Sequence, residues 1–218
     1  MPNLISYPEK KIKAKSPNPH NKINQTKLKN YFLGGDYEQL SLLDSLPKLN
    51  LPSNIPVLFY PGCGVDIFTP LIYLQKLFPQ LSQAKLYFND LDHTLNIIKT
   101  CLDEVGITFS EKRNQLQFYW YNILIELTFV HGDMLTTINN LPNFDIYFER
   151  ALRIYRQNYP DYEQKVFTKL KPKGILISDS GYTHLPLFLC LVLFLQSRTY
   201  TYFVLWQQRC EHHLAVVC

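Results

Sequence analysis

The sequence predicts a doubly wound α/β fold, in which a mostly parallel seven-stranded sheet ends in an antiparallel strand and carries helices on both faces. From Val57 onward, short apolar runs alternate with amphipathic segments, as expected for strands linked by crossover helices. The first run leads directly into a glycine turn, VLFYPGCGVD, at residues 57–66. Only QQRCEH separates the last two predicted strands, which is too short for a parallel crossover, so this pair must be antiparallel.

Length and charge predict one domain that follows a basic arm. The 218 residues are 46% hydrophobic, which suits a globular unit with a sizeable core. Residues 1–30 contain seven lysines and one acidic residue, a net charge of +6, which leaves −2 for the rest because the total is +4. We therefore predict a flexible or extended arm over residues 1–30 and a single α/β domain over residues 31–218.

The lysines of residues 10–29 raise the question of a nucleic-acid partner. Lysines can neutralise phosphates, but such a run is more often a solvated tail, so we do not favour nucleic-acid binding. No apolar run reaches the roughly 18 residues that span a bilayer, and the N-terminus lacks the apolar core of a secretory signal. The five cysteines are dispersed without a CxxC pair, which favours reduced thiols in a cytoplasmic protein and no metal site.

The predicted elements follow one another in order along the chain. DYEQLSLLDSL, before the sheet, is amphipathic and predicts a helix that Asp36 could cap. The predicted strands are VLFY, KLYFND, QLQFYWYN, ILIELTFVHGD, NFDIYFE, GILISDS, TYTYFVLW and HLAVVC. The further predicted helices are TPLIYLQKLF, LDHTLNIIKTCLDEVG, YEQKVFTKL and HLPLFLCLVLFLQ. QLQFYWYN and ILIELTFVHGD join at Tyr121-Asn122, which predicts a hairpin that extends the sheet.

Five segments, taken in order, resemble class I S-adenosylmethionine-dependent methyltransferases over about residues 55–218. They are VLFYPGCGVD, YFNDLD, VHGDML, NFDIYFERAL and KLKPKGILISDS. Each match is weak alone, but five in order are far more specific. The antiparallel final pair is also typical of that family. The resemblance implies S-adenosylmethionine as the cofactor and methyl transfer as the activity, with an unidentified acceptor that is small or acidic.

The resemblance implies a cofactor site at the carboxyl ends of the first three strands. Glycines 62 and 64 leave no side chain between the turn and a ligand, and the carboxylate of Asp90 would accept hydrogen bonds from ribose hydroxyls. The rival acid Asp92 is better interpreted as the N-cap of the next helix, and a strand-end turn is the alternative for Asp133. The predicted cofactor-binding residues are Tyr60, Gly62, Cys63, Gly64, Asp66, Asp90, Leu91, Asp133 and Met134.

The glycine turn departs from the family pattern at two positions. Tyr60 stands where the family usually has an acid, and Asp66 replaces the last glycine. We interpret Asp66 as a replacement for the missing acid, close to the methionine ammonium, while an interaction with the helix dipole is the alternative. A carboxylate there would repel a pyrophosphate, so NAD is disfavoured. The same departures favour a second hypothesis, a catalytically inactive methyltransferase-fold protein with a binding or regulatory role, associated with nucleic acid through its basic arm.

Glu149 and Arg150 follow the fourth strand, near the place where the family binds its acceptor. Glu149 could remove a proton from the acceptor, and the planar guanidinium of Arg150 could hold an acidic acceptor. An ion pair of Glu149 with Arg153 or Arg156 is the competing interpretation. Asp179, after the fifth strand, is a second candidate base.

Overall fold

The computed structural model describes residues 10–33, 35–159, 161–179, 182, 187–195 and 201–208, and for the last two ranges it describes the backbone. The described strands form one nine-stranded sheet in the order β3-β4-β5-β2-β1-β6-β7-β9-β8. The strands are β1 (Val57–Pro61), β2 (Gln83–Asp90), β3 (Phe109–Lys112), β4 (Gln115–Trp120), β5 (Ile123–His131), β6 (Phe144–Glu149), β7 (Leu170–Ser178), β8 (Leu187–Leu195) and β9 (Thr201–Gln208).

The sheet is parallel in its centre and antiparallel at both edges. Strands β5, β2, β1, β6 and β7 are parallel to their neighbours in this group. At one edge β9 runs antiparallel to both β7 and β8, and at the other edge β3, β4 and β5 form an antiparallel meander. The predicted α/β class and the hairpin at Tyr121-Asn122 are therefore confirmed, and the described residues form nine strands, two more than the predicted seven. The predicted antiparallel pairing of TYTYFVLW with HLAVVC stays a prediction, because HLAVVC lies outside the described residues. Strand β3 was not predicted, because Phe109 is its one buried residue.

Helices cover both faces of the sheet. They are α1 (Gln25–Lys29), α2 (Asp36–Gln39), α3 (Phe68–Leu77), α4 (Leu95–Glu104), α5 (Met134–Asn140), α6 (Arg153–Asn158) and α7 (Asp161–Lys169), with a 3-10 helix at Leu40–Ser45. Helices α3 and α4 contribute to the core on one face, and α5 and α7 to the core on the other. Alternate residues of β1 point to opposite faces, so Leu58 and Tyr60 join the first core and Phe59 the second.

The prediction of a helix over HLPLFLCLVLFLQ is wrong, because residues Leu187–Leu195 of this segment form strand β8. A continuous apolar run suits a buried strand as well as a buried helix, and periodicity cannot separate the two. The strand predicted over HLAVVC lies outside the described residues. Within the part of the chain that is described, no helix combines the length and apolar character that crossing a membrane requires.

Two predicted helix caps are also wrong. Helix α2 has Gly35 as its N-cap, with φ +97°, and Asp36 is the first helical residue. Helix α4 begins at Leu95 after Thr94, so Asp92 lies outside the cap position. Asp36 lies one residue inside its helix and Asp92 lies two residues before the N-cap of its helix, and helix boundaries are commonly uncertain by this amount.

The described part of the N-terminal segment, residues 10–33, runs along the domain. The backbone amides of Lys15 and Asn24 donate to the carbonyls of Phe109 and Val105, at 2.8 and 2.9 Å. Glu104, the last residue of α4, accepts hydrogen bonds from Lys10 Nζ at 2.6 Å and from the Tyr31 hydroxyl at 2.7 Å. The segment thus contacts α4 and the β3 edge of the sheet, while the predicted boundary at residue 30 stays a prediction.

Candidate cofactor site at the strand ends

The glycine turn after β1 holds the carboxylate of Asp90, the last residue of β2. Gly62 and Gly64 have φ angles of +59° and +51°, which glycine adopts without steric cost. The amide of Gly64 donates to Asp90 Oδ2 at 2.7 Å, and the amide of Asp92 donates to Asp90 Oδ1 at 3.0 Å. Each carboxylate oxygen can accept a further hydrogen bond. Asp90 therefore presents an oriented carboxylate with remaining acceptor capacity beside the turn.

The two glycines are required for different reasons. A Cβ atom on Gly64 would meet nothing within 4 Å, so the space above this residue is open. A Cβ atom on Gly62 would lie 2.9 Å from Cδ2 of Leu152, in the loop after β6. Packing against Leu152 thus accounts for a small residue at position 62. The open space at Gly64, next to Asp90, is where the turn leaves room for a ligand.

Asp133 lies at the carboxyl end of the neighbouring strand β5 and caps helix α5. Its carboxylate accepts hydrogen bonds from the Thr136 amide at 3.2 Å and from the Tyr155 hydroxyl at 2.8 Å. Partial burial opposes the charged form, but these hydrogen bonds lower the pKa of Asp133 below its usual value. Met134, the first residue of α5, is buried. Asp133 is therefore an ionised group with a fixed position, and its capping role matches the strand-end alternative.

The ends of β2 and β5 lie side by side, because Asp90 pairs with His131 in the parallel register. Leu91, directly after β2, is 66% exposed. His131 Nε2 contacts the carbonyl oxygen of Leu91 at 2.9 Å, and the His131 ring stacks on His93 at 3.5 Å. Exposed flat and apolar side chains thus lie beside the Asp90 carboxylate.

Asp66 is held by three donors on the other side of the glycine turn. Its Oδ2 atom accepts hydrogen bonds from Tyr60 at 3.0 Å and from Arg150 at 2.9 Å, and its Oδ1 atom accepts one from the Thr69 amide at 3.2 Å. Burial disfavours the charged form of Arg150, but the adjacent Asp66 keeps its pKa above the ordinary value. Tyr60 is 2% exposed and packs between Phe88 and Phe148. Asp66 is therefore already paired with a cation.

Glu149 and Arg150 are adjacent in sequence but join different clusters. Arg150 contacts Asp66 near the glycine turn, whereas the Glu149 carboxylate is fully buried and accepts hydrogen bonds from three hydroxyls. The hydroxyl donors are Tyr147, Ser178 and Tyr182. Arg156 completes the cluster, with Nε 3.3 Å from Glu149 Oε1 and its guanidinium 4.1 Å from the centre of the Tyr182 ring.

Burial raises the pKa of Glu149, and the neighbouring Arg156 and the hydroxyl donors oppose this rise only in part. The contact between Glu149 and Arg156 agrees with the ion pair that the sequence offered as the competing interpretation. The catalytic role of Glu149 stays a prediction. Asp179, at the end of β7, accepts a hydrogen bond from the Ala151 amide at 2.6 Å and so links the ends of β6 and β7.

Several residues near the site could not be identified from the sequence. Tyr155, which contacts Asp133, lies in a helix that was not predicted. Residues of the N-terminal segment and α2 reach the glycine turn and form one wall of a cleft of about 190 Å³. The cleft is lined by Tyr31, Phe32, Leu33, Asp36, Val65, Asp66, Phe68, Thr69 and Arg150. Only the tertiary path of the N-terminal segment brings these residues together, and no sequence motif encodes it.

Comparison with known proteins gives matches in structure only. Neither the protein-family models nor the curated proteins include a match. The precorrin-6y C5,15-methyltransferase from Geobacter metallireducens GS-15 is 13% identical, with a TM-score of 0.43 over 80% of this chain and 87% of that chain. A SAM-dependent methyltransferase from Aquifex aeolicus is 14% identical, with a TM-score of 0.47 over 85% of this chain and 99% of that chain. A methyltransferase from Geobacter sulfurreducens is 12% identical, with a TM-score of 0.47 over 87% and 98% of the two chains. These similarities concern the fold alone.

Proposed function

We propose that this chain binds S-adenosylmethionine at the carboxyl ends of β1, β2 and β5 and transfers its methyl group to a small acceptor. The observation that carries the proposal is the juxtaposition at the glycine turn. The Asp90 carboxylate is fixed by the Gly64 amide, and the space above Gly64 is open. A carboxylate at this position suits two vicinal ribose hydroxyls, since each of its oxygens can accept a hydrogen bond.

The residues at the neighbouring strand ends fit the adenosine part of this cofactor. Leu91 offers exposed apolar surface for the adenine ring, and Asp133 is a fixed carboxylate acceptor for its amino group. Tyr60, Cys63 and Met134, also predicted as cofactor residues, are buried and would act by shaping the site. When bound, the cofactor supplies an activated methyl group, whose carbon–sulfur bond breaks with the electron pair left on sulfur as the bond to the acceptor forms.

The chain's contribution to catalysis would be alignment of the two reactants rather than acid–base chemistry. Glu149 has no exposed surface, so we assign it a positioning role at the ends of β6 and β7. Asp66 and Thr69 engage Arg150, which weakens the case for an acidic acceptor held by this residue. Because the methyl donor is already activated, alignment can supply most of the acceleration.

A second candidate, a methyltransferase-fold protein without activity, is favoured by the pairing of Asp66 with Arg150. The expected replacement for the missing strand-end acid is itself neutralised, which would weaken binding of the methionine end. Thermal unfolding of the full chain with S-adenosylmethionine or S-adenosylhomocysteine separates the two candidates. A ligand at 100 times its dissociation constant adds about 2.7 kcal/mol to stability. A shift with either ligand supports the first candidate, and no shift with either one supports the second.

A further inference from the structure

The cleft beside the glycine turn has aromatic walls. Tyr31 and Phe32 are half-buried on the side of the N-terminal segment, and Phe68 is buried on the side of α3. The rings of Tyr31 and Phe68 meet edge to face with their centres 4.9 Å apart, and Phe32 packs in the same manner on Tyr37 at 5.3 Å. These contacts fix the orientation of the rings, so the cleft has a preformed apolar wall.

The charged side chains of the cleft sum to one negative charge. Asp66 and Arg150 neutralise each other through their ion pair at 2.9 Å. Asp36, at the start of α2, also lines the cleft, and within the described residues its carboxylate forms no ion pair or side-chain hydrogen bond. The cleft therefore combines one uncompensated carboxylate with several aromatic side chains.

We propose that this cleft binds an organic ammonium group, with Asp36 as its counter-ion and the aromatic rings as its walls. A carboxylate attracts the cation directly, and aromatic rings add cation–π attraction that carboxylates or phosphates in a ligand would not receive. Asp36 supplies the acid that Tyr60 and the paired Asp66 do not provide at the turn. The cleft is thus suited to a cation and not to the acidic acceptor that the sequence suggested.

Two molecules could bring the ammonium group, and both possibilities rest on the proposed methyl transfer. One is an amine that accepts the methyl group, and the other is the methionine end of the cofactor itself. Three probes separate them in titration calorimetry with the full chain. Phenethylammonium carries an aromatic ring and a cation, S-adenosylhomocysteine carries adenosine and an ammonium group, and 5′-methylthioadenosine carries adenosine without one.

The test variant is Asp36→Asn, which keeps the size of the side chain and removes its charge. Its matched control is Glu38→Gln in the same helix, because Glu38 is 64% exposed and pairs with Lys29 outside the cleft. We expect Asp36→Asn to lower the affinity for at least one ammonium probe by about tenfold, as loss of a charged hydrogen bond does. The affinity for 5′-methylthioadenosine should not change. Phe32→Leu should lower the affinity for the same probe by about threefold through loss of cation–π attraction.

The probe that responds identifies the source of the ammonium group. A loss confined to S-adenosylhomocysteine assigns the cleft to the cofactor, and a loss confined to phenethylammonium assigns it to an amine acceptor. The inference is overturned if neither ammonium probe binds the wild type, or if Asp36→Asn and Glu38→Gln bind both probes as the wild type does. Binding of 5′-methylthioadenosine in that case would leave the proposed function standing. Conversely, binding of phenethylammonium without either nucleoside would remove the methyltransferase proposal and leave the ammonium site.

Discussion

Asp66 and Arg150 form an ion pair at the position where the family pattern has a glycine. The two side chains are 26% and 33% exposed, so each is partly removed from water. Each charge would be destabilising without the other, because an unpaired and partly desolvated charge loses more than its hydrogen bonds. The ion pair thus joins the segment that follows β1 to the segment that follows β6.

Substitution of Asp66 by asparagine should lower the free energy of unfolding by about 1–2 kcal/mol, since Arg150 would lose its charged partner. The double variant with Arg150→Gln should cost less than the sum of the two single variants, because the unpaired cation is then absent. Urea unfolding of the four proteins measures this coupling. Additive effects would mean that the ion pair contributes nothing to stability.

Glu149 gives the second prediction at the level of residues. Its pKa is raised by burial, so the folded protein holds a proton at a pH where the unfolded chain has released it. This residue's contribution to stability is then fully present below the usual glutamate pKa and is lost as the pH rises through the folded-state value. We therefore expect the stability of the wild type relative to Glu149→Gln to fall between acidic and neutral pH. Parallel stability curves in urea unfolding would contradict the prediction.

Among the elements, the N-terminal segment is attached to the domain through α4. Glu104 accepts hydrogen bonds from Lys10 Nζ at 2.6 Å and from the Tyr31 hydroxyl at 2.7 Å. These two hydrogen bonds, chiefly the one from Lys10, lower the pKa of Glu104. Residues near both ends of the described segment, Lys10 and Tyr31, therefore bind one side chain, that of Glu104. Tyr31 also belongs to the aromatic wall of the cleft.

Substitution Glu104→Gln should loosen the N-terminal segment without unfolding the sheet. We expect the amides of Lys15 and Asn24 to exchange hydrogen faster, by a few-fold to about tenfold, because an ion pair this exposed contributes little to stability. Amides of the central strands β1 and β2 serve as the internal control. The same loosening should appear in the wild type as the pH falls through the lowered pKa of Glu104. Unchanged exchange in the variant would show that other contacts hold the segment.

The elements also show where sequence reasoning succeeds and where it stops. The central strands and helices α3, α4 and α7 were predictable, because their apolar residues recur at the period of the element and turns punctuate them. The continuous apolar run of β8 has no such period, so its sequence could not distinguish a buried strand from a buried helix. Spacing placed Asp90 and the glycine turn at the ends of two strands, as the structure does, while their role in cofactor binding stays a prediction. The ion pair of Glu149 with Arg156 was one of the alternatives drawn from the sequence. The contacts of Glu149 with Ser178 and Tyr182 and of Asp66 with Arg150 join segments that are distant in sequence, which spacing does not encode.

At the scale of the whole molecule, the fold brings the carboxyl ends of the parallel strands together at one edge of the sheet. Each face of the sheet carries a different cluster of polar residues. The first face, with α3 and α4, carries the ion pair of Asp66 and the cleft walled by the N-terminal segment. The second face, with α5 and α7, carries the Glu149 cluster. The glycine turn lies between them at the carboxyl end of β1, where ligands bind in doubly wound sheets.

The most direct measurement is the affinity of S-adenosylhomocysteine for the wild type, Asp90→Asn and Asp92→Asn by titration calorimetry. The side-chain carbonyl introduced by Asp90→Asn could still accept the Gly64 amide, so the turn should persist, which thermal unfolding without ligand would verify. We expect the wild type to bind, Asp90→Asn to bind about tenfold or more weakly, and Asp92→Asn to bind as the wild type does. Equal affinities for the wild type and Asp90→Asn, or no binding by the wild type, would contradict the central claim that Asp90 holds the cofactor's ribose beside the glycine turn.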